Sequence, residues 1–179
     1  GEYFRVDDNI RRRDVLLSSQ WLAGEALRAA IARGAEAMLE EMKRSNLRGR
    51  GGAGFTTHIK WESARRATGR GERPTRYVVC NADEGEPGTF KDRVLLTSYA
   101  DLLFDGMSVA GFTIGASRGL VYLRAEYAYL LPSLLENLER RRQSGLLGEA
   151  LCGQSGVAFD IEIHLGAGAY VCGEETALL

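Results

Sequence analysis

Apolar residues recur at helical spacing over residues 22–33 (Leu27, Ile31) and 35–45 (Ala35, Met38, Leu39, Met42), which predicts two short helices. Residues 1–18 are polar, with Arg11-Arg12-Arg13 followed by Asp14, and read as an arm packed on the surface. Leu47–Phe55 (LRGRGGAGF) is too rich in glycine for either regular element, while 60–67 reads as helix and 68–75 as loop. From residue 76 the rhythm changes. Arg76–Cys80 reads as a buried strand, 99–116 as an apolar helix whose Gly106, Ala110, Gly111 and Gly115 permit close packing, and Leu120–Leu123 as a second strand. Residues 127–143 read as an amphipathic helix, with Leu130, Leu131, Leu134, Leu135 and Leu138 inward and Arg140, Arg141 and Arg142 outward. Phe159, Ile161, Ile163 and Leu165 then alternate with Asp160, Glu162 and His164 in a third strand. Strand, helix, strand, helix, strand at these spacings implies βαβ units, an α/β fold and a mainly parallel sheet.

In an open parallel sheet, ligands bind beyond the carboxyl ends of the strands. The first strand is followed by Asn81, Asp83, Glu84, Gly85 and Glu86, and the second by Arg124 and Glu126. After the third come Gly166-Ala167-Gly168-Ala169-Tyr170 and then Gly173-Glu174-Glu175. Polar residues and glycines thus collect at one edge.

Charge sharpens the picture locally. The whole chain of 179 residues has a net charge of −1, which excludes a globally basic nucleic-acid coat. Yet Lys43 to Arg76 holds ten Lys or Arg against two Asp or Glu, around the glycine loop. Gly49, Gly51, Gly52 and Gly54 can bring bare amides close to a flat or anionic ligand, and Arg48, Arg50 and Lys60 add positive charge. The site class is a phosphate-bearing, planar cofactor; the alternative is a solvated basic loop or a segment touching nucleic acid. Neither a P-loop nor a dinucleotide G-x-G-x-x-G after a strand is present. Asn81–Gly88 (NADEGEPG) has three readings: a solvated turn or helix cap for Thr89–Ser98, a set of acceptors for a ribose-bearing cofactor, or a divalent-cation site. Gly173-Glu174-Glu175-Thr176 has the same helix-opening alternative. His58 and His164 read as structural. Cys80, Cys152 and Cys172 form no CxxC pair and read as buried apolar residues in a reducing compartment. No apolar run is long enough to span a bilayer, and no secretory signal opens the chain. A start without Met and an end at Leu178-Leu179 suggest a piece of a longer protein.

Three motifs, Leu47–Trp61 (LRGRGGAGFTTHIKW), Tyr77–Arg93 (YVVCNADEGEPGTFKDR) and Gly166–Leu178 (GAGAYVCGEETAL), resemble one family. It is the FMN-binding flavoprotein subunit of respiratory complex I, with relatives in NAD-reducing hydrogenases and NAD-dependent formate dehydrogenases. Arg11–Leu17, Phe90–Thr97 and Val121–Tyr129 look most similar to the hydrogenase diaphorase subunit. The resemblance implies a Rossmann-like three-layer domain with the glycine-rich FMN loop before the first core strand. It divides the chain into an arm with helices (1–46) and an FMN- and NADH-binding α/β domain (47–179). It implies an oxidoreductase that passes hydride between NADH and FMN and then single electrons to iron–sulfur clusters. Gly49, Arg50, Gly51, Gly52, Ala53 and Gly54 would line the flavin and nicotinamide. Lys60, Asn81, Asp83, Glu84, Tyr170, Gly173 and Glu174 would serve FMN, Phe55 would lie against adenine, and Glu86 and Glu175 would contact the NADH ribose and carboxamide region. No general acid or base is needed, since hydride transfer depends on holding two rings face to face.

Two departures stand out: Thr56-Thr57-His58 replaces the family's Pro-Thr-Gly, and Ser63 takes the place of an aromatic. The family's ubiquitin-like domain and its helical domain with a four-iron (4Fe-4S) cluster have no counterpart in this sequence, so the cluster is expected only in a full-length parent. The implied setting is a cytoplasmic multi-subunit oxidoreductase with an iron–sulfur subunit as partner, no nucleic acid and no direct membrane insertion. The rival classes are an RNA-binding module and a cofactor-free scaffold.

Overall fold

The computed structural model describes residues 22–50, 52–68 and 75–167. In chain order they form α1 (Glu25–Arg33), α2 (Ala35–Ser45), α3 (Thr57–Arg66), β1 (Tyr77–Ala82), α4 (Lys91–Ser98), α5 (Ala100–Ile114), β2 (Arg118–Leu123), α6 (Leu131–Gln143) and β3 (Asp160–Leu165). Two 3₁₀ turns, Ala125–Leu130 and Leu151–Gly153, complete the set. The residues expected in one helix over 127–143 are divided between the first 3₁₀ turn and α6. Pro132 explains the break: its missing N–H and its ring are tolerated in a first helical turn and nowhere further in.

The strands form one parallel sheet in the order β1-β2-β3, in register, so that Ala82, Leu123 and Leu165 end side by side. Crossovers between parallel neighbours are right-handed, and both step in the same direction, so α5 and α6 fall on one face. That face carries Val78, Cys80, Ala82, Gly119, Val121, Leu123, Ile161 and Ile163, and the core closes there on Phe104 of α5 and on Leu134 and Leu138 of α6. Tyr77 and Val79, on the other face, remain 46% and 44% exposed. Among the described residues the helices stand on one side only, so two of the three expected layers are seen.

Close approach is confined to particular glycines. A Cβ on Gly111 would lie 2.5 Å from the Phe159 ring, and one on Gly119 would lie 2.8 Å from the same ring. Helix α5 therefore rests on the sheet through Phe159. Gly106 meets nothing within 4 Å and plays no such part. Gly115 instead ends α5 in the left-handed region at φ 74°.

The outward position expected for Arg141 is wrong. Its side chain is 1% exposed and donates to both Asp101 (3.0 Å) and the buried Asp105. The Asp105 carboxylate also accepts the Gly24 N–H at 3.0 and 2.9 Å, just ahead of α1. One buried ion pair thus joins α1, α5 and α6. Leu135, expected inward, is 47% exposed. The thiols depart from expectation too: Cys80 is half-buried, Cys152 is exposed in a left-handed turn (φ 52°), and Cys172 lies outside the described residues. Burial, with the nearby Asp92 charge, pushes the Cys80 thiol up to about 11. No described helix is long and apolar enough to cross a membrane.

Two variants test this packing by urea unfolding. Arg141→Met strands the Asp105 carboxylate in the core and is expected to cost about 3–5 kcal/mol. Gly111→Ala forces a methyl against Phe159 and is expected to cost about 1–3 kcal/mol.

Candidate functional site

The turn after β1 leads straight into α4. Asn81 Oδ1 accepts the Asp83 N–H at 3.0 Å, a local bond that sets the direction of the turn. Glu84 then turns inward, its side chain only 1% exposed. Its carboxylate accepts the N–H groups of Asp92 (3.0 Å) and Arg93 (3.4 Å) in the first turn of α4 and the Tyr127 hydroxyl at 2.8 Å. Burial raises the Glu84 pKa, but these donors and Lys91 at 3.8 Å outweigh it and leave the carboxyl below its ordinary value. Burial and the same hydrogen bond push the Tyr127 phenol up to about 12. The Glu84 carboxylate thus caps the first turn of α4. Asp83 is half-buried and Glu86 exposed at the rim.

The turn after β2 meets this one. The Arg124 N–H bonds the Ala82 carbonyl at 3.1 Å, and its guanidinium bridges the Glu84 carbonyl and the Glu126 carboxylate, the latter at 2.9 Å. That hydrogen bond holds Glu126 down to about 2. After β3, the Gly166 N–H bonds the Leu123 carbonyl at 2.7 Å, and a Cβ at Gly166 would lie 3.2 Å from the Tyr122 ring. The three strand ends are thus tied to one another by main-chain bonds.

The glycine loop is closed at its neck and open at its tip. Gly49 N–H to Phe55 O (2.8 Å), Thr57 N–H to Leu47 O (2.9 Å) and an Arg48–Thr56 bridge pin the neck. Among the described residues no hydrogen bond is donated by the amides of Arg50, Gly52, Ala53 or Gly54. Gly52 and Gly54 adopt φ 96° and 59°, and no described residue lies within 4 Å of where a Cβ would stand. Arg48 reaches the Gly54 carbonyl at 3.4 Å, and Lys60 Nζ sits 5.5 Å above the Phe55 ring, which is 48% exposed. Helix α3 follows the loop. Its last turn is held at the amino end of β1 by Arg76, which donates to the Ala64 and Arg65 carbonyls, and Arg65 donates to Thr113 in the last turn of α5. Helix α3 also packs against α2 and α5.

Among the described residues, Nδ1 of His58, in the first turn of α3, and Nε of Arg93, in the first turn of α4, are buried without a hydrogen-bond partner. Undemanded donors, empty space beside glycine backbone and unpaired nitrogens are what a cradle for a planar, phosphate-bearing group requires. Gly49, Arg50, Gly52, Ala53, Gly54, Phe55, Lys60, Asn81, Asp83, Glu84 and Glu86 of the expected set are described; Gly51, Tyr170, Gly173, Glu174 and Glu175 lie outside the described residues. Tyr127 and Arg93 are additions to that set. Extending the strand-end rule one helical turn past Arg124 finds the first. No cluster able to hold a metal ion occurs among the described residues.

Residues 42–179 match the model of the Nuo51 FMN-binding domain. The chain is 54% identical over 144 residues to the NAD-reducing hydrogenase HoxS subunit alpha of Cupriavidus necator, covering 80% of this chain and 23% of that protein. It is 45% identical over 149 residues to the mitochondrial NADH dehydrogenase (ubiquinone) flavoprotein 1 of Dictyostelium discoideum, covering 83% of this chain and 30% of the relative. A crystal structure of an NAD⁺-reducing [NiFe]-hydrogenase superposes with a TM-score of 0.75 at 46% identity, over 89% of this chain and 26% of that one. The chain therefore spans well under half the length of these relatives, and within that span it belongs to the Nuo51 FMN-binding domain family.

Proposed function

We propose that this chain forms the FMN- and NAD(H)-binding part of a diaphorase-type oxidoreductase subunit. The observation that carries the reading is the pinned glycine loop, in which the Arg50, Gly52, Ala53 and Gly54 amides and the space beside Gly52 and Gly54 are claimed by no other described residue. FMN, when bound, supplies hydride acceptance and one-electron release. The chain's own residues hold and orient. The tip amides of the Arg50–Gly54 loop offer donors at van der Waals approach, Lys60 offers a positive charge, and Asn81 and Asp83 offer polar groups at the rim of β1. Phe55 presents a half-exposed ring on which an adenine can lie, with Glu86 beside the ribose. Gly51 and Gly173–Glu175 complete this set in the reading we propose, and Tyr170 belongs with them.

Higher identity to the hydrogenase protein than to the mitochondrial flavoprotein supports an NAD-reducing hydrogenase as the parent assembly, with one-electron transfer to iron–sulfur clusters, a 4Fe-4S group among them, elsewhere in that assembly. The second reading is a complex I parent, supported by the 83% of this chain that the mitochondrial relative covers, or a formate dehydrogenase of the same family. The nucleic-acid reading of the basic loop loses support from the chain's net charge of −1.

In the protein purified with its native assembly, FMN is expected to give the yellow flavin band, and anaerobic NADH is expected to bleach it. Protein that takes up no FMN defeats the reading. Gly52→Ala adds a Cβ to a left-handed residue facing the open side of the loop and is expected to weaken FMN binding about tenfold or more, measured by flavin fluorescence titration.

A further inference from the structure

The connection after β2 reaches 40 residues back in sequence to grip the turn after β1. Three of its groups do so: the Arg124 N–H on Ala82 O (3.1 Å), the Arg124 guanidinium on Glu84 O, and the Tyr127 hydroxyl on the Glu84 carboxylate (2.8 Å). The grip is itself braced. The Tyr127 N–H bonds Arg124 O at 2.9 Å, the Arg124 guanidinium lies 5.8 Å from the Tyr127 ring centroid, and its second donor is fixed by Glu126. Because the Glu84 carboxylate also carries the second and third amides of α4, this one side chain couples the turn, the helix that follows and the neighbouring loop. Nothing in that bonding requires a ligand, and the Glu84 side chain is buried.

We infer that Arg124 and Tyr127 are positioning residues for the cofactor edge: they fix the main chain of Asp83–Gly85 and the direction of Asn81 through Glu84, which acts as an anchor rather than as a ligand. The inference rests on the proposed FMN reading. Geometry supports it in preference to a purely structural role. A cap for α4 needs only the two amide bonds, whereas both Arg124 contacts fall on main-chain carbonyls of the turn, upstream of the helix.

The test uses the protein in its native assembly, stripped of flavin and titrated with FMN by fluorescence. Tyr127→Phe removes one hydrogen bond to a charged group, and Arg124→Lys keeps the charge but loses the planar fork that spans the Glu84 carbonyl and the Glu126 carboxylate. Each is expected to weaken FMN binding about tenfold and to change the visible circular dichroism of the bound flavin. Gly111→Ala, destabilising but seated at the amino edge, serves as the control and is expected to leave both readouts unchanged. If Tyr127→Phe fails to fold, Arg124→Lys alone decides. Wild-type FMN affinity and dichroism in both variants overturn the inference while leaving the FMN reading intact. An equal loss in Gly111→Ala also overturns it, since general destabilisation then explains the effect. Unmutated protein that binds no FMN overturns the reading and the inference together.

Discussion

Parallel register is the constraint on which the rest of this molecule depends. Three strands that run together and stop together deliver three connections to a single line, at Ala82, Leu123 and Leu165. Their main-chain groups at that line have no further strand to bond, so they bond one another: Arg124 to Ala82 and Gly166 to Leu123. A polar edge with organised amides follows from backbone geometry before any side chain is considered. The side chains then divide into those that hold the edge, such as Glu84, Arg124 and Tyr127, and those left at its surface, such as Asp83 and Glu86.

The amino edge is built for rigidity instead. There the helices end, and the contacts are glycine against Phe159, Arg76 against the last turn of α3 and Arg142 against Asp160 at hydrogen-bond distance (3.0 Å). The buried Arg141–Asp105 pair lies among the helices and fixes where α1 may dock. Such a pair contributes little net stability compared with an apolar substitute, but it penalises any other docking of the Gly24 amide, and so it selects one arrangement.

Much of this is legible in the residues. The alternation in β3 and the spacing of strands and helices carry the parallel α/β architecture, and glycine density marks the loop before β1. The failures are instructive at particular positions. Arg141 falls three residues after Leu138 and seven after Leu134, on one helical stripe, so its burial is implied by the same period that buries the leucines; charge misleads where position decides. Leu135 lies off that stripe and is exposed for the same reason. Pro132 announces the break ahead of α6, against the single long helix that the leucine spacing suggests. The capping role of Glu84 is not legible in sequence, because capping and ligand binding ask for the same residue type, and the cap depends on donors that the fold brings to it, one of them 43 residues distant. Gly51, Tyr170, Gly173, Glu174 and Glu175, expected from sequence at the same site, lie outside the described residues.

The sequestration of Glu84 also changes the field that an approaching molecule meets. Counted along the chain, Asp83, Glu84, Glu86 and Glu126 make a rim that should repel a phosphate. In the folded protein one of those charges is buried under hydrogen-bond donors and another is neutralised by a guanidinium. Repulsion between like charges grows as water is displaced from a cleft, so withdrawing negative charge from the rim matters most at the moment of closest approach. An apparently acidic motif can thereby accommodate an anion.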